Sequence, residues 1–247
     1  MSKRKNITRR VIYIIMELFF ISIMIFSGIK IYTWWKENNS NKKMLKEISN
    51  NVQVTIDNED GKEEYKVDFN KLKQINPDTV AWLKVAGTDI EFPVVKTSDN
   101  EYYLKHSYDK SYNSAGWPFM DYRNKLNNTD KNIIIYGHNR RDYSMFGTLK
   151  NILNKEWYDN ENNRYVTFNT ENENSIYEVF SVYRIEVEDY YLKTTFTDEE
   201  FEEYIQTIKT RSIKNFGVEV TTEDKILTLS TCADNNNYRI VLHAKKI

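Results

Sequence analysis

The most apolar stretch of the chain is residues 11–32, which consist mostly of isoleucine, phenylalanine, methionine and other hydrophobic types. As an α-helix this stretch would be about 33 Å long, enough to cross the roughly 30 Å hydrocarbon layer of a bilayer. Tyrosine and tryptophan near its C-terminal end, within residues 32–35, are typical of the membrane–water interface. The pattern therefore predicts a transmembrane helix, in which Glu17 is the only acidic residue.

The flanking charges predict the orientation of this helix. Residues 1–10 carry five basic residues and no acidic residue, and positively charged flanks stay in the cytoplasm. No small-residue cleavage site follows the apolar stretch, which favours an uncleaved signal anchor over a cleaved signal peptide. We therefore expect a single-pass protein of the cell membrane, with a cytoplasmic segment at 1–10, an anchor at 11–32 and the remaining residues outside the cell.

Beyond the anchor, the pattern of apolar positions changes twice. Residues 33–67 are polar and charged, which predicts an extracellular spacer. From residue 68 onward, short β-favouring runs alternate with turn signals and a few amphipathic segments. The predicted strands are 80–85, 90–95, 132–136, 164–170, 175–187 and two within 225–247, and the predicted helices are 69–75, 143–153 and 197–211. These elements predict one mostly β domain over residues 68–247, a closed or nearly closed barrel with peripheral helices.

The net charge of −1 hides an uneven distribution of charge. The first ten residues contribute +5, so the remainder carries 30 basic against 36 acidic residues, or −6. A domain of this kind lacks the basic face that nucleic acid binding requires. Only 7 glycines and 3 prolines argue against a fibrous or low-complexity chain.

The chain has one cysteine, Cys232, within the predicted extracellular domain. A disulfide framework would need paired cysteines. A single extracellular thiol is either buried and inert, paired with another chain, or reactive. Cys232 lies on a predicted strand followed by a short polar loop and a last strand, and Ser230 shares its face because side chains alternate along a strand. A hairpin here would return Arg239 toward Cys232.

A histidine completes a candidate set of reacting groups. His138 follows the buried strand predicted at 132–136, where the backbone leaves the domain interior. A thiol with a pKa of about 8.5 needs a base to become a thiolate at neutral pH. An imidazole supplies that base, and a guanidinium suits the oxyanion that forms during acyl transfer. Of the other histidines, His106 lies among aromatic residues and is expected to be structural, and His243 is too far along the last strand to act with Arg239.

The motifs around these residues resemble those of a known family. Residues 228–232, TLSTC, match a TLxTC pattern, and Arg239 follows Cys232 by seven positions. Residues 135–139, IYGHN, look like the family's histidine motif. Further similar stretches are residues 78–95, 116–124 and the helix at 197–211. Over residues 68–247 the chain is similar to the sortases, the transpeptidases of Gram-positive cell surfaces, and most closely to class B.

This resemblance implies an eight-stranded closed sortase barrel and a cysteine transpeptidase. Cys232 would attack the threonine carbonyl of a C-terminal sorting signal and form a thioester, His138 would be the general acid and base, and Arg239 would stabilise the oxyanion or position the substrate. The implied partners are surface proteins with a C-terminal sorting signal and an amine acceptor from the peptidoglycan cross-bridge or a pilin-like protein. No cofactor or metal is implied. Ser230 would line the substrate groove, and Asp234 matches an acidic position of some class B members.

Two other hypotheses remain at this point. An L,D-transpeptidase would place an arginine almost directly after its cysteine, whereas Arg239 is seven positions away. A non-catalytic, membrane-anchored binding module would carry an inert thiol at Cys232. The sorting motif also stays open, between NPQTN-like signals and proline-containing motifs that end in TG.

Overall fold

A computed structural model of the protein describes residues 2–50, 52–56, 63–126, 129–233 and 237–247. The chain divides into two compact units after Lys43. Helix α1, Ser2–Ser49, makes up the first unit and continues into the second. Among the described residues it is the one helix long and apolar enough to cross a membrane. Its side chains from residue 9 to residue 36 are exposed, as expected of a surface that faces lipid.

The stretch predicted as a spacer, residues 33–67, also contains regular structure. Helix α1 extends through it to Ser49, and strand β1 (Val52–Ile56) pairs antiparallel with β2 (Glu63–Val67). Ile48 and Tyr65 are buried, so this stretch contributes apolar side chains to the second unit. The boundaries at residues 33 and 68 stay predictions.

Eight strands form the closed barrel that the sequence predicts. They are β3 (Thr79–Val85), β4 (Glu91–Val95), β5 (Phe119–Met120), β6 (Asn132–Tyr136), β7 (Tyr165–Thr170), β8 (Asn174–Glu186), β9 (Ile226–Ala233) and β10 (Tyr238–Lys246). Their order is β10-β8-β7-β3-β4-β5-β6-β9, and β9 closes the barrel on β10. The pairs β4–β5 and β6–β9 are parallel. Closure gives every barrel strand a neighbour on both sides.

Strands β9 and β10 separate the barrel interior from an outer face. Leu227, Leu229 and Leu242 belong to the interior core, whereas Ile226 and Val241 belong to a second apolar cluster. Because successive side chains alternate between faces, the reactive candidates lie on the side of this second cluster. The residues that share this outer face are Ile226, Thr228, Ser230 and Cys232 on β9 and Arg239, Val241 and His243 on β10.

In the part of the chain that the structure describes, three further α-helices lie on the barrel: α2 (Phe69–Ile75), α3 (Lys155–Tyr158) and α4 (Asp198–Arg211). Helix α4 covers part of the outer face of β9 and β10 with its buried residues, Phe201, Tyr204, Ile205 and Ile208. Its start is fixed by the predicted capping box, in which Thr197 accepts from the Glu200 amide and the Glu200 carboxylate accepts from the Thr197 amide. The prediction of a helix at 197–211 is therefore confirmed.

The helix predicted at 143–153 is wrong for most of its length. Tyr143 and Met145 have positive φ angles of 64° and 53°, which an α-helix does not allow. Only Leu149–Leu153 is helical, as a 3₁₀ turn. The apolar spacing that suggested a helix arises because Met145, Phe146 and Leu149 are all buried from irregular backbone.

Candidate active site

Cys232 and Arg239 face each other across the β9–β10 hairpin. They are direct register partners, and opposite residues of an antiparallel pair lie on the same face with Cβ atoms roughly 4.5–5.5 Å apart. Both side chains are half-buried, so solvent reaches them. Arg239 Nη1 donates to the Tyr238 carbonyl at 3.0 Å. The pairing that the alternating sequence predicts is present, although the catalytic roles stay predictions.

His138 lies at the same end of the barrel because β6 and β9 are parallel neighbours. Tyr136, the last residue of β6, is the register partner of Ser230. One step further, the Gly137 amide donates to the Ser230 carbonyl at 3.3 Å, and Thr231 Oγ1 donates to the Gly137 carbonyl at 2.6 Å. His138 and Cys232 each follow this joined pair directly, and adjacent strands are roughly 4.8 Å apart. The fold therefore brings the two residues to neighbouring strand ends.

The ring of His138 is oriented by a loop that the sequence did not single out. His138 Nε2 lies 2.8 Å from the Leu104 carbonyl. A carbonyl only accepts, so this contact assigns the proton to Nε2 and leaves Nδ1 as the basic nitrogen of the neutral ring. Gly116 lies against the ring with φ +62°, and a Cβ there would be 3.0 Å from His138 Cδ2 and 2.5 Å from the Tyr103 carbonyl. Only glycine fits this position without displacement.

The backbone of the Gly–His turn is held from the other side by Phe146. A Cβ on Gly137 would lie 2.5 Å from the Phe146 ring, and the Phe146 amide donates to the His138 carbonyl at 3.0 Å. Phe146 is fully buried. The glycine before His138 therefore allows close packing that fixes where the imidazole leaves the barrel.

Ser230 is buried and engaged by a tyrosine from the segment that precedes α4. Its Oγ lies 3.0 Å from the hydroxyl of Tyr191. Burial raises the pKa of Tyr191, against the hydrogen bond from Ser230 and the charge of Arg239, which both lower it. The role of Ser230 in the substrate groove stays a prediction. Asp234 lies outside the described residues.

The other two histidines have structural contacts. His243 is fully buried, with Nδ1 2.8 Å from Thr228 Oγ1 and Nε2 2.8 Å from the Tyr183 hydroxyl. Burial lowers the pKa of His243 to about 3, so its ring is neutral at physiological pH. His106 stacks on Tyr102 with ring centroids 4.0 Å apart. Among the three histidines, His138 is thus the one at the strand end beside Cys232.

The described part of the chain contains no group of three or more histidine, cysteine, aspartate or glutamate side chains arranged to hold a metal ion. A half-exposed thiol, an imidazole with a basic nitrogen and a guanidinium at one barrel end suit acyl transfer through a covalent thioester. The sequence did not single out Leu104 and Gly116, which lie against the His138 ring, or Tyr191, which bonds to Ser230. Gly116 alone had a signal, since it opens one of the similar stretches at 116–124.

Comparison with known proteins shows which family the chain is similar to. The family model described as the sortase domain matches residues 83–247. Sortase B of Listeria monocytogenes is 34% identical over 94% of this chain and 95% of its own length. The crystal structure of Clostridium perfringens sortase B has 40% identity and a TM-score of 0.69, over 73% of this chain and 100% of that one. A sortase B structure complexed with triglycine has 35% identity and a TM-score of 0.68, over 72% and 85% of the two chains.

Proposed function

Since this chain belongs to the sortase family and is a class B cysteine transpeptidase, we propose that it cleaves a C-terminal sorting signal after threonine through a thioester on Cys232. The observation that carries the proposal is the position of Cys232. It faces Arg239 across one hairpin and lies beside the strand end that carries His138. A thiol, a base and a cation, all three partly exposed, would thus act together at this end of the barrel.

In the first half of the reaction, His138 Nδ1 takes the proton of the Cys232 thiol. The thiolate attacks the threonine carbonyl carbon, and the negative oxygen that forms is stabilised by the guanidinium of Arg239. The bond between that carbon and the following nitrogen then breaks, and the leaving amine takes the proton from His138. The products are a thioester on Cys232 and a released peptide that carries the membrane tail of the substrate.

In the second half, an amine attacks the thioester, the carbon–sulfur bond breaks and the thiol of Cys232 is restored. One amide bond is exchanged for another, so the cycle needs no oxidant, reductant or cofactor. The acceptor is an amine of the peptidoglycan cross-bridge or of a pilin-like protein. The sortase B structure complexed with triglycine supports an acceptor that presents a free peptide amine.

The same proposal places the catalytic domain outside the cell. Residues 11–32 of α1 would span the membrane, with the basic residues 1–10 in the cytoplasm. The exposed apolar surface of this helix supports a lipid environment. Substrate tails and acceptor amines would then reach Cys232 at the outer surface.

The experiment uses the full chain in lipid nanodiscs with a panel of sorting peptides that contain NPQTN-like or proline–TG motifs, and triglycine as the acceptor. We expect one motif class to be cut after threonine and joined to triglycine. The Cys232→Ala variant, with an unchanged circular dichroism spectrum, controls for background cleavage. Failure to process any threonine-containing signal, or equal turnover by Cys232→Ala, would contradict the proposal.

A further inference from the structure

We infer that Arg123, paired with Asp121, is a positioning residue that fixes one side of the substrate groove; the inference rests on the function proposed above. The structure that it fixes is residues 190–193, named here the wall segment. The wall segment contains the 3₁₀ turn Tyr190–Leu192 and presents Tyr191 to Ser230, on the face of Cys232. Neither Asp121 nor Arg123 belongs to the proposed catalytic set.

Three consecutive carbonyls of the wall segment accept hydrogen bonds from side chains of other elements. Arg123 Nη2 donates to the Leu192 carbonyl at 2.7 Å. Asn132 Nδ2 lies 2.9 Å from the Lys193 carbonyl and 3.3 Å from that of Tyr191. The hydroxyl of Tyr204 on α4 also donates to the Tyr191 carbonyl, at 3.2 Å. A short segment held this way depends on side-chain donors rather than on a strand partner.

Arg123 is the donor whose geometry a different residue cannot reproduce. Its Nε and Nη2 bind the two carboxylate oxygens of Asp121, both at 2.8 Å, and Nη2 also reaches Leu192. The Asp121 side chain is completely buried, whereas that of Arg123 is 40% exposed. Burial would raise the pKa of Asp121, but hydrogen bonds from Arg123 and Tyr136 outweigh it and hold this pKa below its ordinary value. The carboxylate is therefore a fixed anion that orients the guanidinium.

The Asp121 carboxylate also connects the two other sides of the site. It accepts from the Tyr136 hydroxyl at 2.8 Å, two residues before His138. It accepts from Asn100 Nδ2 at 3.1 Å, in the loop whose Leu104 carbonyl holds the His138 ring. The Asp121–Arg123 pair thus connects three parts of the site: the loop that contains Asn100 and Leu104, the end of β6, and the wall segment. Loss of the forked donor of Arg123 releases only the wall segment, because the hydrogen bonds from Tyr136 and Asn100 to Asp121 remain.

The test compares Arg123→Lys with Arg164→Lys, the same substitution at an arginine that directly precedes β7 and pairs with Glu161. Hydrogen exchange is followed in the full chain at the Leu192 amide, which donates to the Asp189 carbonyl. We expect exchange at Leu192 to become about 10-fold faster in Arg123→Lys and to stay at the wild-type rate in Arg164→Lys. The melting temperature and the rate of Cys232 alkylation by iodoacetamide should remain similar in both variants.

The kinetic experiment uses the sorting peptide that the wild-type enzyme cleaves in the panel described above. Arg123→Lys should raise KM about fivefold or more with kcat within twofold, because the groove is loosened and the reacting groups are intact. If the lysine variant is poorly folded, Arg123→Gln is the second variant: it also lacks the fork and should raise KM at least as much, with a lower melting temperature because the buried Asp121 carboxylate loses its cationic partner. Wild-type exchange at Leu192 in both variants, or a fall in kcat with unchanged KM, would overturn the inference. If the wild type cleaves no peptide, the proposed function fails, and the exchange arm still decides whether Arg123 fixes the wall segment.

Discussion

The β9–β10 hairpin carries two polar cross-strand pairs on one face in opposite surroundings. Next to the connection between the two strands Cys232 faces Arg239, and four residues back along β9 Thr228 faces His243. The first pair is half-exposed, whereas the second is completely buried beneath Tyr183 and Tyr204. The backbone geometry is the same, so access to solvent is what makes one pair available for chemistry and the other a part of the core.

Substitutions of His138 and His243 test this comparison and should have the largest effects. His138→Ala should lower the transpeptidation rate about 10²- to 10⁴-fold, because the proton acceptor and donor is lost, with a nearly unchanged unfolding free energy. His243→Ala should do the reverse: it removes a fully buried ring and its hydrogen bonds to Thr228 and Tyr183, and should lower the unfolding free energy by about 2–4 kcal/mol. Initial rates and urea unfolding of both variants measure the contrast, and a full rate for His138→Ala would remove His138 from the mechanism.

Arg239→Lys tests whether the Cys232–Arg239 pair needs a forked donor or only a positive charge. We expect a fall in kcat/KM of about 10²-fold, since an ammonium cannot match the planar donors of a guanidinium. The matched control is Arg184→Lys on β8, where the arginine stacks on Tyr238 at 3.5 Å and has no proposed catalytic role. Equal activity of Arg239→Lys and the wild type would mean that Arg239 acts only through its charge.

The buried Thr228–His243 pair should make the stability of the protein depend on pH. The pKa of His243 is lowered from 6.5 to about 3 by burial, so the unfolded state binds the proton first. Stability is therefore complete above about pH 6.5 and falls as the pH drops toward 3, by at most about 1.4 kcal/mol per pH unit. Between pH 6.5 and 5 few carboxylates titrate, so His243→Gln should flatten the curve there. A curve of unchanged slope in that variant would show that another group causes the acid loss.

The smallest expected effect is at Ser230, which lies on β9 between Thr228 and Cys232. Ser230→Ala removes the hydrogen bond to the Tyr191 hydroxyl and should cost about 1 kcal/mol of unfolding free energy. Because Tyr191 is also held by its backbone carbonyl, the rate should fall only a few-fold. Ser230→Thr is the control for this substitution, because threonine keeps a side-chain hydroxyl that can bond to Tyr191. A loss of activity as large as that of Arg239→Lys would instead give Ser230 a direct role at the substrate.

Alternation and apolar runs predicted the parts of the site that depend on local geometry. The register of Cys232 with Arg239 follows from two strands and a short loop, and His138 was placed by the buried run at 132–136. Tyr191, by contrast, meets Ser230 only because α4 and the barrel hold the wall segment in place, at a separation of 39 residues. The pattern at 143–153 misled because Met145, Phe146 and Leu149 are buried from irregular backbone and yet have the spacing of a helix face.

The central claim is that an acyl group is carried on Cys232, and intact-mass spectrometry tests it directly. The full chain is mixed with an intact sorting peptide of the class that it cleaves and is quenched in acid before the acceptor is added. We expect a mass increase equal to that of the peptide fragment that ends in threonine less one water, located on Cys232 and discharged by triglycine. Absence of this adduct during active turnover, or an adduct on any other residue, would contradict it.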